Sequence, residues 1–267
     1  MSTASAKNFP DPPVDVKYSI ALQSKAEWLP LGAGFHKRDL GLGGSTSGSM
    51  EAVHVRASFE KGARRVWQRE PSPFHFLFVL AGSGTLTTNT NDRVSLGKWT
   101  CIHQSDLFRR NEIEVSPDFE AIEIFAPEKA SSPAKLVTDA ANRLTVTQDT
   151  PDSYVVGDGP RRFFGYRDLR IAAVTDRRVH IHVVKAAIPM NSGTGWHAHS
   201  MSQQFYVIQG WADVSATGQP LVRMTPNDAM CLRAGMPHDV SAFSADYGVL
   251  EMCLPADYST VDAAPAA

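Results

Sequence analysis

The chain has 267 residues, with 26 lysines and arginines set against 28 aspartates and glutamates, a formal net charge of −2. That balance argues against a polyanion-binding surface, and a hydrophobic content of 43% argues against a disordered acidic chain. The longest apolar run, around Phe76–Ala81, falls far short of the ~20 residues a membrane helix needs, so neither nucleic acid nor membrane is an expected partner.

Along the chain, short β-rich runs alternate with turns. Val53–Ala57 and Phe76–Leu80 are rich in β-branched and aromatic residues, and Asn89–Asp92 breaks the pattern after them. Ser132–Arg143 is the one modest helix candidate. Val183–Ala187 and Phe205–Ile208 then resume the β pattern, with a turn at Ala216–Pro220. The predicted fold class is all-β. The start of the chain lacks the apolar core of a secretory signal. Its three cysteines, Cys101, Cys231 and Cys253, fit neither a disulfide framework nor a CxxC zinc site. A soluble, cytoplasmic protein with cysteines packed as small apolar residues is expected.

An internal repeat organises the chain. Phe35-His-Lys-Arg-Asp-Leu40 returns as Phe164-Gly-Tyr-Arg-Asp-Leu169, and Glu51–Ala57 aligns with His180–Ala186 at the same offset of 129. Ser72–Leu86 aligns with Ser200–Val214, and Phe119–Pro127 with Tyr247–Pro255, at an offset of 128. Four segments in register imply two copies of one fold. Residues 1–150 form the first predicted domain and 151–267 the second, with the boundary near Asp149–Gly159.

The second copy carries the chemistry. In His197-Ala-His199 the two imidazoles lie two residues apart, so a strand presents both to one point. After a turn, Gln203, Phe205 and Val207 share the inward face, and a later strand leads through a Gly235 turn to His238. Three neutral imidazoles and an amide oxygen form a plausible ligand set for a divalent first-row metal. Phe205, Val207 and Met224 are candidate pocket residues, as is Arg233, which could meet an anionic substrate at the mouth. Trp196 and Tyr206 are apolar residues of the same region.

These residues resemble the two motifs of the cupin superfamily. His197, His199 and Gly210 match its first motif in spacing, and Gly235 and His238 match its second. Asn191, Asn227, Arg233 and Ala242 depart from it, and Gln203 replaces the family's metal-binding glutamate. The resemblance covers the second half directly and the first half through the repeat. It implies a bicupin: two tandem jelly-roll barrels, one iron, manganese, zinc or nickel ion in the C-terminal barrel, and further association such as a homodimer.

Carried back through the repeat, the ligand positions His197, His199, Gln203 and His238 fall on Arg69, Pro71, His75 and Phe108. The N-terminal barrel is therefore expected to hold no metal. Features shared by both copies, namely Arg38-Asp39-Leu40 with Arg167-Asp168-Leu169 and Glu123 with Glu251, read as strand starts and surface ion pairs. His180 and His182 form a second H-x-H with no downstream partners, so a structural role is expected for them. His75 is expected to be a core histidine, and His36, His54 and His103 have no constellation.

A glutamine at 203 leaves a divalent site at +2 where a glutamate would leave +1. That favours an anionic or oxygen-chelating ligand and removes a carboxylate that could serve as a base. The expected function is a metal-dependent enzyme of dioxygenase type acting on a small anionic or chelating organic molecule. The alternative is a non-catalytic bicupin that binds or senses a small molecule through an anchoring metal.

Overall fold

The structure, a computed structural model, describes residues 14–59, 65–67, 72–88, 91–104, 112–127, 144–157, 162–188 and 193–264. The helix candidate at Ser132–Arg143 lies outside them, as do Arg69, Pro71 and Phe108.

The first half runs through β1 (Ser19–Ala21), β2 (Leu29–Gly32), β3 (Phe35–Asp39), β4 (Glu51–Ala57), β5 (Arg65–Trp67) and β6 (His75–Ala81). It continues with β7 (Gly84–Thr87), β8 (Arg93–Leu96), β9 (Cys101–Gln104), β10 (Glu112–Val115) and β11 (Glu120–Phe125), and β12 (Thr145–Thr147) follows. The second half holds β13 (Val155–Val156), β14 (Phe164–Asp168), β15 (His180–Ala186), β16 (His197–His199), β17 (Ser202–Gln209) and β18 (Ala212–Ala216). It ends with β19 (Val222–Met224), β20 (Ala229–Leu232), β21 (His238–Phe243), β22 (Gly248–Leu254) and β23 (Thr260–Asp262). Single helical turns, α1 (Leu42–Ser45) and α2 (Ile171–Val174), sit at equivalent points of the two halves.

The sheets repeat as the sequence does. One seven-stranded sheet has the order β12-β9-β6-β11-β4-β3-β2, and the other β1-β20-β17-β22-β15-β14-β13. The five inner strands correspond one to one, 128–129 residues apart, and the edge strands take equivalent places. Each is faced by a smaller sheet, β5-β10-β7-β8 in the first half and β19-β18-β21-β16-β23 in the second. Among the described residues the strand pairings are antiparallel, and the architecture is that of β jelly-roll barrels, as the sequence predicts.

Alternation along the strands divides the core in three. Leu77 and Val79 of β6 join Val53, Val55, Leu86, Ile102 and Ala121 inside the first barrel. Phe205 and Val207 of β17 join Val184, Val214, Met230 and Val249 inside the second. The opposite face of each large sheet belongs to a third cluster. There Phe76, Phe78, Ile122 and Ile124 pack with Ile181, Val183, Tyr206, Leu250 and Met252 from the other half. The two large sheets thus pack against each other, and burying a side chain such as Phe76 between them contributes ~1.5–3 kcal/mol.

β1 and β12 cover the same edge of the two large sheets, but β1 does so in the half to which it does not belong in sequence. β1 pairs with β20, Ser19 opposite Cys231 and Ala21 opposite Ala229, while β12 pairs with β9, Thr145 opposite His103 and Thr147 opposite Cys101. A division at residue 150 therefore groups β1 with the first half by sequence, although its partner lies in the second.

Gly82 and Gly210 occupy one repeat position, with φ of 71° and 66°. A Cβ would meet the Phe119 backbone at 2.7 Å in one half and the Tyr247 Cα at 2.8 Å in the other, so only glycine fits the turn after β6 and β17. All three cysteines are buried and free. Among the described residues no helix is long and apolar enough to cross a membrane.

Of the shared charged residues, Asp39 and Asp168 are exposed, but the arginines and glutamates are not surface pairs. Arg38 and Arg167 are 2% and 1% exposed and reach from one half into the other. Glu123 is fully buried inside the first barrel, its Oε1 2.6 Å from His75 Nε2, and the amide of Gln104 lies 3.1 Å from His75 Nδ1. His54 likewise belongs to a network, since it contacts Glu120 at 2.9 Å and the Tyr206 hydroxyl at 3.1 Å. Tyr206 consequently faces the interface between the halves.

Candidate metal centre

The second barrel encloses a cavity of about 110 Å³ between its two sheets, lined by His182, His197, His199, Gln203, His238 and Glu251 among others. One water needs roughly 10–15 Å³ on this measure, so a cation with its waters or a compact organic acid fits.

β16 carries His197 and His199, and His197 pairs directly across the strands with His238, the first residue of β21. Gln203 comes from β17 on the opposite sheet. The ligand nitrogens of His197, His199 and His238 all lie within 4.8 Å of one another. Ring centroids are 4.3 Å apart for His197–His238, 4.8 Å for His197–His199 and 5.2 Å for His199–His238.

Each imidazole is oriented through Nδ1. His197 Nδ1 donates to the Gly195 carbonyl at 2.7 Å, and His238 Nδ1 donates to the Met236 carbonyl at 2.9 Å. His199 Nδ1 lies 2.8 Å from the Thr260 hydroxyl. A neutral ring with its proton on Nδ1 carries its lone pair on Nε2, the arrangement that supporting hydrogen bonds impose on metal-ligating histidines. Turns make these carbonyls available: Gly195 has φ of 69°, and Gly235, at 72°, bonds back to the His199 carbonyl at 2.8 Å.

Gln203 is 5% exposed, with its amide nitrogen 3.2 Å from His238 Nε2 and its Oε1 buried without a hydrogen-bond partner. A buried amide oxygen without a donor is costly in an apolar wall. It is accounted for if a cation belongs beside it, since a half-turn of the amide exchanges its two ends. Three imidazole nitrogens and one amide oxygen suit a divalent first-row ion, so the residues present fit the metal that the sequence motif implies.

The remaining expectations divide. Phe205 lines the cavity. Val207 and Met224 are fully buried in the core of the barrel and are not among the lining residues, so they are packing residues. Arg233 is exposed at the turn before Gly235 and does not line the cavity. Trp196 is half-buried and also lies off it.

Several cavity residues had no place in the motif reading. Tyr258 packs its ring 5.5 Å from His199, and the final strand β23 pairs with β16, placing Thr260 opposite His199. His182, read from sequence as structural, lines the cavity, and its Nε2 is 2.9 Å from Glu251 Oε2. Glu251, read as a surface ion-pair residue, is a wall of the same cavity. Burial presses its carboxyl upward, but the His182 hydrogen bond and the nearby His199 and His238 imidazoles outweigh that and hold it below the usual glutamate range. The cavity thus contains an ionised carboxylate on β22, although the motif position 203 lacks one. Alternation supplied a signal for it, because Glu251 sits between Leu250 and Met252, both of which face the other half. Cys253 lies close to His182 and Glu251, but burial first and the Glu251 charge second push its thiol well up, and it packs as a small apolar residue.

No protein-family model matches the chain, and no curated protein matches it by sequence. Solved structures do. Oxalate decarboxylase of Bacillus subtilis, in a structure described for its Mn(II) centres, matches with a TM-score of 0.58 and 12% identity, over 91% of this chain and 78% of that one. Oxalate decarboxylase of Lactobacillus farciminis in a formate complex gives 0.61 and 11%, over 91% and 88%. A glyoxylate-induced protein of Pseudomonas aeruginosa gives 0.59 and 15%, over 98% and 93%. These are cupin proteins, and the chain shares their fold.

Proposed function

We propose that the second barrel binds one divalent transition metal, iron, manganese, zinc or nickel, through His197, His199, His238 and Gln203, and that the protein acts on a small anionic or chelating organic molecule. The observation that carries this reading is the common orientation of three imidazoles whose Nδ1 atoms are each engaged by an oxygen atom. Bound there, the ion would supply Lewis-acid polarisation of a chelating carboxylate or, as iron, activation of dioxygen. Phe205 and Tyr258 shape the wall around such a ligand, and Glu251 offers it a proton acceptor. The structural neighbours' oxalate and formate chemistry supports a small carboxylate as ligand, and the reaction class we put first is dioxygenase type.

The test begins with elemental analysis of protein purified without added metal. About one metal per chain is expected, absent from a His197→Ala/His199→Ala double variant; full retention in that variant overturns the ligand set. Oxygen uptake and carbon dioxide release are then followed with oxalate, glyoxylate, hydroxy acids, catechols and diketones. A non-catalytic binder is the second reading, favoured by the modest cavity, and it is expected to take up such a ligand without turnover.

A further inference from the structure

On the outer side of the wall that carries Tyr166 and His182 lies a second, open groove of about 810 Å³. Thr147, Thr150, Asp168, Arg170 and His180 are among its lining residues, and His182 and Tyr166 border both spaces. A chain of close contacts crosses this partition. His180 Nε2 is 2.8 Å from His182 Nδ1, and His182 Nε2 is 2.9 Å from Glu251 Oε2 in the cavity. At the outer end, His180 Nδ1 lies 3.7 Å from the exposed carboxylate of Asp168. The three residues come from two adjacent strands, with His182 of β15 directly opposite Glu251 of β22. In the first half Glu123 stands at the repeat position of Glu251, but Val53 and Glu51 stand where His182 and His180 would be, so the imidazole path is confined to the half with the candidate metal centre.

We propose that Glu251 is the acid–base residue of the cavity and that His182 and His180 are its positioning residues, relaying protons to and from the outer groove. The proposal deepens the metal-site reading and rests on it for the ligand's place beside Glu251. An ionised Glu251 fixes the resting tautomers. His182 donates Nε2–H to the carboxylate, so its Nδ1 accepts, and His180 donates Nε2–H to it. A proton arriving at His180 Nδ1 then moves the Nε2 proton of His180 to His182 Nδ1 and the Nε2 proton of His182 to Glu251. Export from Glu251 runs the shift backwards and needs both rings protonated on Nδ1, the state that an inward delivery leaves, so one delivery followed by one abstraction leaves both rings as they began. In the abstraction, a C–H bond beside a carbonyl breaks, its electron pair passes into that carbonyl group, and the new O–H bond forms on Glu251.

Two experiments test this together. In metal-free protein with ¹⁵N-labelled histidine, long-range proton–nitrogen spectra at pH 7 are expected to show His180 and His182 neutral, each protonated on Nε2. Either ring ionised or in the other tautomer breaks the chain and overturns the relay. In protein loaded with zinc, which supports no oxygen chemistry, pyruvate in deuterium oxide serves as the carbon-acid probe, with exchange of its methyl protons followed by NMR. The wild type is expected to catalyse exchange, Glu251→Gln to lose it by about 100-fold or more, and His180→Gln to lose roughly tenfold at unchanged pyruvate affinity. Exchange absent from zinc-loaded wild type, or undiminished in Glu251→Gln at equal zinc content, overturns the assignment. Failure to bind zinc instead refutes the metal site and leaves the relay to be decided by the tautomers.

Discussion

Arg38 and Arg167 cross the interface between the halves in opposite directions and end on equivalent atoms. Arg38 donates to the carbonyl of Asn227, and Arg167 to the carbonyl of Trp99 at 2.9 Å. Both acceptors sit in turns with positive φ, 78° at Asn227 and 62° at Trp99. Arg167 also donates to Thr147 Oγ1 at 3.1 Å and Asp149 at 3.3 Å. Each guanidinium is buried, and removing it leaves a turn carbonyl without its charged donor. Arg167→Met is therefore expected to destabilise the protein by about 2–4 kcal/mol in urea unfolding. Arg38→Met should do the same, since the arrangement is reciprocal. A loss below ~0.5 kcal/mol would mean that these carbonyls are satisfied without the arginine.

The crossing of β1 makes the second barrel depend on the first residues of the described chain. Val14 and Val16 are buried in the interface cluster, β1 covers the edge of β20, and the backbone N–H of Gln23 donates to the buried carboxylate of Asp228 at 2.6 Å. Deleting residues 1–22 is expected to lower stability by on the order of 3–6 kcal/mol from the two valines alone. Hydrogen exchange should show lost protection at Ala229–Leu232, whose edge is then open to pairing with another chain. Unchanged protection there would contradict the crossing of β1.

What the sequence made legible follows from period two. The repeat identified the shared sheet, and the spacing of His197, His199 and Gln203 identified one face. The crossing of β1 to the other half is not legible, because a three-residue strand leaves no pattern and its pairing spans some two hundred residues. Glu251 was missed for a different reason. Its presence in both halves suggested scaffold, yet alternation with Leu250 and Met252 turns it inward, where a charge needs a partner. His182 provides that partner and is invisible as such until β15 and β22 are paired. Val207 shares the parity of Gln203 and Phe205, but parity does not give depth, and it lies beyond the cavity in packed core.

Thr260 holds His199 from the last strand, and no motif spacing points to it. Thr260→Val keeps the shape and removes the hydroxyl that fixes the ring. Metal affinity is expected to fall by about tenfold, the lower end of what supporting hydrogen bonds contribute, because this bond is partly open to solvent. Competition with a chromophoric chelator measures it. An unchanged constant would show that β23 merely covers the ligand strand.

Gln203→Glu restores a carboxylate at the amide position. Another negative charge beside the three imidazoles should raise divalent-metal affinity by on the order of tenfold and weaken binding of a small anion such as oxalate to the loaded protein by a similar factor. Chelator competition and calorimetry read the two effects separately. Tighter oxalate binding in this variant would contradict the charge argument, since Glu251 already faces the same cavity.

His103 gives the fold a pH dependence that lies outside the candidate site. It is 1% exposed in the first half, its Nδ1 donates to the His75 carbonyl at 2.9 Å, and its Nε2 is buried without a partner. Burial, chiefly, pushes the imidazole from 6.5 down to about 4. Between those values the unfolded chain binds a proton that the folded chain does not, so stability is full above about 6.5 and declines as the pH falls toward about 4. The slope is at most about 1.4 kcal/mol per pH unit for each such group. His54 and His180 are also held below the ordinary histidine value by burial and act in the same direction. His103→Phe, which keeps a ring against Phe74, is expected to cost some stability at pH 7 through the orphaned His75 carbonyl while flattening the decline between pH 6.5 and 4. Urea unfolding at half-unit pH intervals separates the two effects. An unchanged slope in the variant would place the acid sensitivity elsewhere in the chain.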